Sequence, residues 1–273
     1  MRFTSLCIIM ENRNYKSVLQ DFTTTNENVR TILSRGLLKC YKPIQEGPVF
    51  LLTGINPSFN VDKHEVWPGE LRVCNISAAN DGYWLKKRKQ FGKIWDNMQY
   101  LDLFPIREVR QQNGFEKSFK EETVFRRDLL MITQSEIESM KPKLIVHANK
   151  DSIYYWGIMK NTPIGGDAND YENPWMGYKV KRVTEKDYPD LPPCMRNDRL
   201  ELFPFYRIEG FQKSEKRINR EKYPETSSLE GCFLLEYVMD GRNKRYNGKL
   251  YQEKEEGPKE WTEIWEWVNR HKQ

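Results

Sequence analysis

The sequence predicts an α/β fold with a parallel sheet, on the strength of three short apolar runs and the stretches between them. The runs are Val49-Phe50-Leu51-Leu52-Thr53-Gly54, Tyr100-Leu101-Asp102-Leu103-Phe104-Pro105 and Leu144-Ile145-Val146-His147-Ala148. A short, nearly continuous apolar run bounded by turn residues suits a strand buried on both faces inside a parallel sheet. Between the runs lie two stretches with apolar residues at helical spacing. Strand, helix, strand, helix, strand is a right-handed βαβ succession, and its crossovers make the strands parallel.

The 273 residues suffice for a full core, in one large domain or two small ones. With 38% hydrophobic and 30% charged residues, the chain belongs to the globular class and not the disordered one. Lys and Arg number 44 against 39 Asp and Glu, a net charge of +5 that permits a nucleic-acid partner without demanding one. Cys7, Cys40, Cys74, Cys194 and Cys232 share no C-x-x-C or metal-site spacing, which points to free thiols in a reducing, cytoplasmic setting. His64, His147 and His271 are scattered, so no zinc site is expected. No apolar run is long enough for a signal segment or a membrane span. No repeat or low-complexity linker interrupts the chain. A single domain is therefore expected over residues 1–273, with an entry segment at 1–48, a core at 49–210 and a C-terminal extension at 211–273.

Asn28 is placed as the cap of a helix running through Val29, Ile32, Leu33, Leu37 and Leu38. The first strand then ends at Gly54, whose freedom allows a sharp exit. Asn56 stands just past its carboxyl end and Pro57 stiffens the turn, in the place where open α/β sheets bind ligands. In isolation the same residues also make an ordinary Asn-Pro turn. Residues 59–82 read as a long loop of the kind that is functional or mobile. Trp67, Tyr83 and Trp84 add flat rings, each either a pocket wall or a packing anchor.

Tyr83 to Met98 reads as a helix carrying Lys86, Lys87, Arg88 and Lys89 in a row. Such a run is a solvated face or a phosphate contact. Asp102, amid apolar residues at a strand's end, is either a site carboxylate or a structural one. Residues 118–140 form the next helix, stopped by Lys141-Pro142, and an aromatic helix is expected at 153–159. Further on, 178–183 alternates like a strand and 200–208 is a possible edge strand despite Pro204. Residues 228–239 fit helix or strand equally. Trp261, Ile264, Trp265 and Val268 mark a C-terminal amphipathic helix.

The strand ending in Gly54-Ile55-Asn56-Pro57, the strand at 100–105 after a Trp-rich helix, and the passage from Ile137 to His147 followed by Asn149-Lys150 occur in one order. Together they resemble the uracil-DNA glycosylase superfamily over about residues 49–160. The Gly-Ile-Asn-Pro wording is similar to its mismatch-specific uracil and thymine-DNA glycosylase branch.

The resemblance implies a three-layer α/β/α fold with a central, mainly parallel four-stranded sheet. It implies hydrolysis of the N-glycosidic bond of a flipped uracil-like or modified base in single- or double-stranded DNA, with no cofactor, no membrane and no obligate protein partner. The Asn matching Asn56 positions the attacking water in that branch. An amide suits this, since it holds water by donor and acceptor but is a poor base. Asp102 stands where the family reads the base with Asn, and is placed here as a second catalytic-site residue. Gly54, Ile55, Pro57 and Ser58 are expected around the base, with Trp67 first and Tyr83 second as the stacking ring. Lys86, Lys87, Arg88, Lys89, Arg207 and Arg217 are the expected phosphate contacts. The family's second catalytic motif, His-Pro-Ser or Asn-Pro-Ser, has no match after Phe203-Pro204-Phe205-Tyr206. A binding protein of the same fold without chemistry is the alternative.

Overall fold

The computed structural model describes residues 14–42, 49–78, 82–108, 111–159, 163–170, 172–196, 200, 203–236 and 259–271. Its contacts gather into two compact units. One comprises Met1–Cys40, Ile55–Cys74 and Asp102–Glu136; the other comprises Tyr41–Gly54, Asn75–Leu101 and Ile137–Gln273.

The second unit is built on a mixed sheet. Its strands are β2 (Phe50–Gly54), β4 (Met98–Asp102), β5 (Leu144–His147), β6 (Tyr178–Arg182), β7 (Phe205–Phe211) and β8 (Phe233–Glu236). They lie in the order β4-β2-β5-β8-β7-β6. β2 runs parallel to β5, from Phe50 opposite Leu144 to Thr53 opposite His147, and β5 runs parallel to β8. β7 is antiparallel to both β8 and β6. The fold is therefore α/β as expected, but with six strands of mixed direction where four mainly parallel ones were expected.

The difference arises after β5, where the chain returns as an antiparallel pair. Pro204 stands just outside β7, so no ladder donor is missing within the strand. Its carbonyl still accepts from the Glu236 N–H at 2.9 Å. The ambiguous run at 228–239 resolves as strand over Phe233–Glu236, all four residues buried; its end beyond 236 lies outside the described residues.

Aromatic packing holds this unit together. The expected C-terminal helix is α5 (Lys259–Arg270). Trp261 meets Phe91 edge-on at 4.9 Å and lies 6.1 Å from Phe50, and Trp267 meets Phe233 at 4.9 Å. The helix expected from Tyr83 to Met98 is shorter, α3 (Gly82–Phe91). Gly92, at φ 51, turns the chain into a 3₁₀ stretch at Gly92–Asn97, and Met98 already belongs to β4. The aromatic helix expected at 153–159 is a 3₁₀ helix, Lys150–Trp156, stopped by Gly157 at φ 80.

In the first unit, α1 (Tyr15–Asp21) begins with a reciprocal capping box between Asn14 and Ser17. α2 (Glu27–Leu33) is capped by Asn26, not Asn28: the Asn26 side chain accepts from the Asn28 and Val29 N–H groups. Leu37 and Leu38 leave the expected helix and enter β1 (Leu37–Tyr41). β1 pairs with β3 (Leu71–Asn75), so the expected long loop contains a strand. Gly36, at φ 80, makes the turn between helix and strand, and a Cβ there would fall 2.0 Å from Trp67 Cδ1.

The longest helix among the described residues is α4 (Thr123–Met140), close to its expected span. Near its end Glu138, buried in the second unit, accepts from the Tyr178 hydroxyl at 2.8 Å, the Ser227 hydroxyl at 2.7 Å and the Ser228 N–H at 2.7 Å. Replacing it strands several buried donors, each costing about 1–3 kcal/mol. Glu138→Ala is expected to lower urea-unfolding stability by at least ~3 kcal/mol, and Glu138→Gln by less, because the amide oxygen retains acceptors. Equal losses in the two variants would show that the carboxylate's hydrogen bonds contribute little.

Candidate functional site

Asn56 follows β2 by two residues and belongs to the first unit. There the Phe104 N–H donates to the Ile55 carbonyl at 2.9 Å and the Glu108 N–H to the Pro57 carbonyl at 3.1 Å. These bonds lay the stretch after β2 beside the stretch after β4. Asn56 is 4% exposed. Its Nδ2 donates to the Pro57 carbonyl at 3.2 Å and weakly to the Glu108 carbonyl at 3.5 Å. Its Oδ1 is buried and accepts no hydrogen bond among the described residues. Buried amide oxygens are nearly always satisfied, so an open one is suited to a donor from water or ligand. Asp102 is 5% exposed and closes β4, so it is not a solvated strand-end carboxylate. Ile55 and Pro57 are buried, while Ser58 is exposed.

Trp67 is held in a way that removes it as a stacking platform. The Arg107 guanidinium lies 3.6 Å and that of Arg72 4.3 Å from its ring centre. Its Nε1 donates to the Leu37 carbonyl at 3.2 Å. The expectation that Trp67 stacks a flipped base is corrected accordingly: its ring is engaged by two cations. Arg107 itself donates to the Arg35 carbonyl at 2.6 Å and the Glu65 carbonyl at 2.8 Å. Burial, with Arg72 and Arg35 adding to it, lowers its pKa to about 10. Arg35 in turn pairs with Glu108 at 2.8 Å. This cluster escaped sequence reasoning because Arg35, the stretch 65–72 and the pair Arg107 and Glu108 are about thirty residues or more from one another and share no motif.

In the second unit the order of strands marks another place. From β2 the chain goes to β4 on one side and later to β5 on the other. The carboxyl ends of β2 and β5 therefore flank the topological switch point, where open α/β sheets bind ligands. Thr53 and His147 are register partners there. The His147 Nδ1 lies 2.9 Å from Thr53 Oγ1 and 3.0 Å from Ser152 Oγ. The Ser152 hydroxyl also donates to the Asn149 carbonyl at 2.6 Å. Trp156 meets the imidazole edge-on at 5.0 Å. All this is fully buried, and burial lowers the His147 pKa to about 3, leaving the ring neutral. His147 was legible only as the end of a strand. Its pairing with Thr53 depends on a register that the sequence does not print.

The expected phosphate contacts separate into two groups. Lys86, Arg88 and Lys89 are exposed, and Arg88 donates to the Ser77 carbonyl at 2.9 Å. Lys87 is 5% exposed. Its amine donates to Gln90 Oε1 at 3.2 Å, 5.2 Å from the Tyr83 ring centre, and burial lowers its pKa to about 7. Arg217 is likewise turned inward, at 3% exposure. It donates to the Tyr223 and Pro224 carbonyls at 2.5 and 3.1 Å and covers Phe211 at 4.2 Å. Neither presents its charge to a backbone phosphate, so both expectations are corrected: a helix places every third or fourth side chain inside, and Arg217 fills the space left by Gly177. Tyr83 is 48% exposed and edge-on to Trp84 at 4.8 Å. Arg207 is half-buried and lines a cleft of about 250 Å³.

In comparison with known proteins, no family model, no curated protein and no solved structure matches the chain. No helix of the described residues is long and apolar enough to cross a membrane, and none of their His, Cys, Asp and Glu side chains gather into a group that could hold a metal.

The buried imidazole makes stability pH-dependent. A histidine with pKa about 3 in the fold and about 6.5 unfolded stabilises fully above pH ~6.5. Its contribution falls by up to ~1.4 kcal/mol per pH unit as pH drops towards 3. The stability difference between the parent and His147→Gln is expected to shrink between about pH 7 and about pH 4.5. A constant difference in urea titrations over that range would mean that the ring protonates within the fold.

Proposed function

We propose that the chain is a DNA glycosylase-like hydrolase that cleaves the N-glycosidic bond of a flipped base with a water positioned by Asn56. The observation that carries this reading is the Asn56 amide. It is buried just past β2, its Nδ2 is fixed on the Pro57 carbonyl, and its Oδ1 remains open to a donor. A fixed acceptor orients a water O–H and aims the oxygen lone pair elsewhere. An amide takes up no proton at neutral pH, so the departing base must leave as a stabilised anion. No cofactor enters such a reaction.

We read the run β4-β2-β5-β8 as the four-stranded core of a three-layer α/β/α glycosylase fold, with the β6–β7 pair as an addition to its edge. Under this reading the motif sought after Phe203-Pro204 would fall after β8, where the sequence from Tyr237 onward again carries no His-Pro-Ser or Asn-Pro-Ser. Binding of single- or double-stranded DNA rests on exposed Lys86, Arg88 and Lys89 of the second unit, on the helix where Tyr83 also presents an exposed ring. The depth of Asn56 favours a second reading, a nucleic-acid or nucleotide-binding protein of this fold without chemistry.

Asp102 bears on which base is taken. An ionised carboxylate only accepts, so in that form it opposes a uracil carbonyl and suits an exocyclic amino group, whereas a carboxyl kept protonated by burial donates. An Asn in its place donates to the carbonyl and accepts from the ring N–H.

Three measurements check these roles. Asn56→Ala is expected to slow single-turnover excision, scored as abasic sites on a panel of modified-base duplexes, by at least ~10²-fold with DNA affinity unchanged. Excision by the parent with none of these substrates would leave the binding reading. Asp102→Asn is expected to gain excision of uracil from single and double strands; ready removal of uracil by the parent at neutral and alkaline pH would end the base-reading role. DNA affinity is expected to fall with salt at a log–log slope of about −0.9 per phosphate contact, roughly −2 to −3 for three exposed cations. A salt-independent affinity would point to a small-molecule ligand.

A further inference from the structure

The second unit carries a charged cleft that the proposed chemistry does not use. It has a volume of about 250 Å³ and is lined by Lys181 and Arg182 of β6, Asp187 and Tyr188 of the following turn, and Arg207 and Glu209 of β7. Lys181 and Arg207 are direct cross-strand partners. Like charges opposite one another in an antiparallel pair repel, so the pair calls for counter-charge. Lys181 has it in Asp187, at 3.4 Å. Glu209, two residues from Arg207, pairs instead with Lys179 at 3.1 Å. Arg182 donates inward to the Leu200 carbonyl at 2.5 Å. The Arg207 guanidinium makes no hydrogen bond or ion pair among the described residues, though its five donors make a fork matched to an oxyanion.

We infer that this cleft binds a small organic phosphate, with the phosphoryl group between Arg207 and Lys181. Lys181 and Arg207 stand side by side, and the uncompensated Arg207 presents parallel donors that match two oxygens of a phosphoryl group. A phosphomonoester becomes dianionic above about pH 6. The cleft is open on one side and its volume falls below that of ordinary ligand pockets, so it holds a phosphoryl group and little of what carries it. The Tyr188 ring forms an apolar wall, since it is braced edge-on by Phe233 at 5.7 Å and Trp267 at 5.3 Å. The shared chemistry is a terminal phosphate, whether on a free metabolite or on a nucleic-acid end.

The experiment is calorimetric titration of the full chain with inorganic phosphate, ribose 5-phosphate and matched oligonucleotides with and without a 5′-phosphate. Saturable binding of inorganic phosphate and ribose 5-phosphate is expected, stronger above pH ~6 than below it. Arg207→Gln is expected to weaken it at least about tenfold, with the unliganded melting temperature unchanged. A 5′-phosphate preference among oligonucleotides, lost in the same variant, would assign the cleft to nucleic-acid ends; its absence alongside ribose 5-phosphate binding would assign it to metabolites. Should Arg207→Gln fail to fold, Glu209→Gln serves instead, and is expected to tighten binding severalfold by removing a negative neighbour. Failure of all phosphates to bind at tens of millimolar, or binding unchanged by these substitutions, would overturn the inference. The readout involves no base excision, so it stands or falls apart from the glycosylase reading.

Discussion

Complete burial of β2 is the constraint on which the second unit depends. Each of its five residues is buried, so each backbone group must find a partner in a neighbouring strand. β5 supplies it on one side, in parallel register from Phe50 to Thr53, and β4 is the neighbour on the other. The faces must also be covered. Phe50 receives Phe91 edge-on at 5.0 Å and Trp261 at 6.1 Å, which brings α3 and α5 onto the same side chain. Apolar burial of rings this large is the main stabilising term available to such a sheet.

The same burial imposes a polar cost at the strand ends. Thr53 and His147 reach the edge of the apolar layer in register, and Thr53 and Ser152 meet the His147 Nδ1, while its Nε2 has no hydrogen-bond partner among the described residues. The imidazole can remain there only uncharged. Asn56 meets the equivalent demand in the first unit by donating to its neighbour's carbonyl, and its unsatisfied Oδ1 is what distinguishes it from an ordinary turn residue.

Cationic side chains show how far packing redirects charge. Arg107 and Arg72 are spent on Trp67, Arg217 on Phe211 and two carbonyls, and Lys87 on Gln90 beside Tyr83. A long side chain buries its carbon stem readily, and its charge then takes whatever acceptor or ring lies there. The cations left facing solvent or a cleft, Lys86, Lys89 and Arg207 among them, are those whose strand or helix face is not covered.

By itself the sequence determined the α/β class, two of the three apolar strands, most of α4 and the amphipathic α5, because apolar period and turn residues are local signals. The strand expected at 100–105 lies instead at Met98–Asp102. It also singled out Asn56 and Asp102 by their places at strand ends. It misjudged local boundaries where one residue decides: Asn26 outcompetes Asn28 as a cap, Gly36 sends Leu37 and Leu38 into a strand, and Gly92 shortens α3. Tertiary structure alone decided the six-stranded order, the antiparallel β6–β7 addition, the register of Thr53 with His147 and the fate of each cation. These rest on pairings between residues tens of positions apart. Their energies come from burial and hydrogen bonding that exist only once the chain is folded, so no local pattern encodes them.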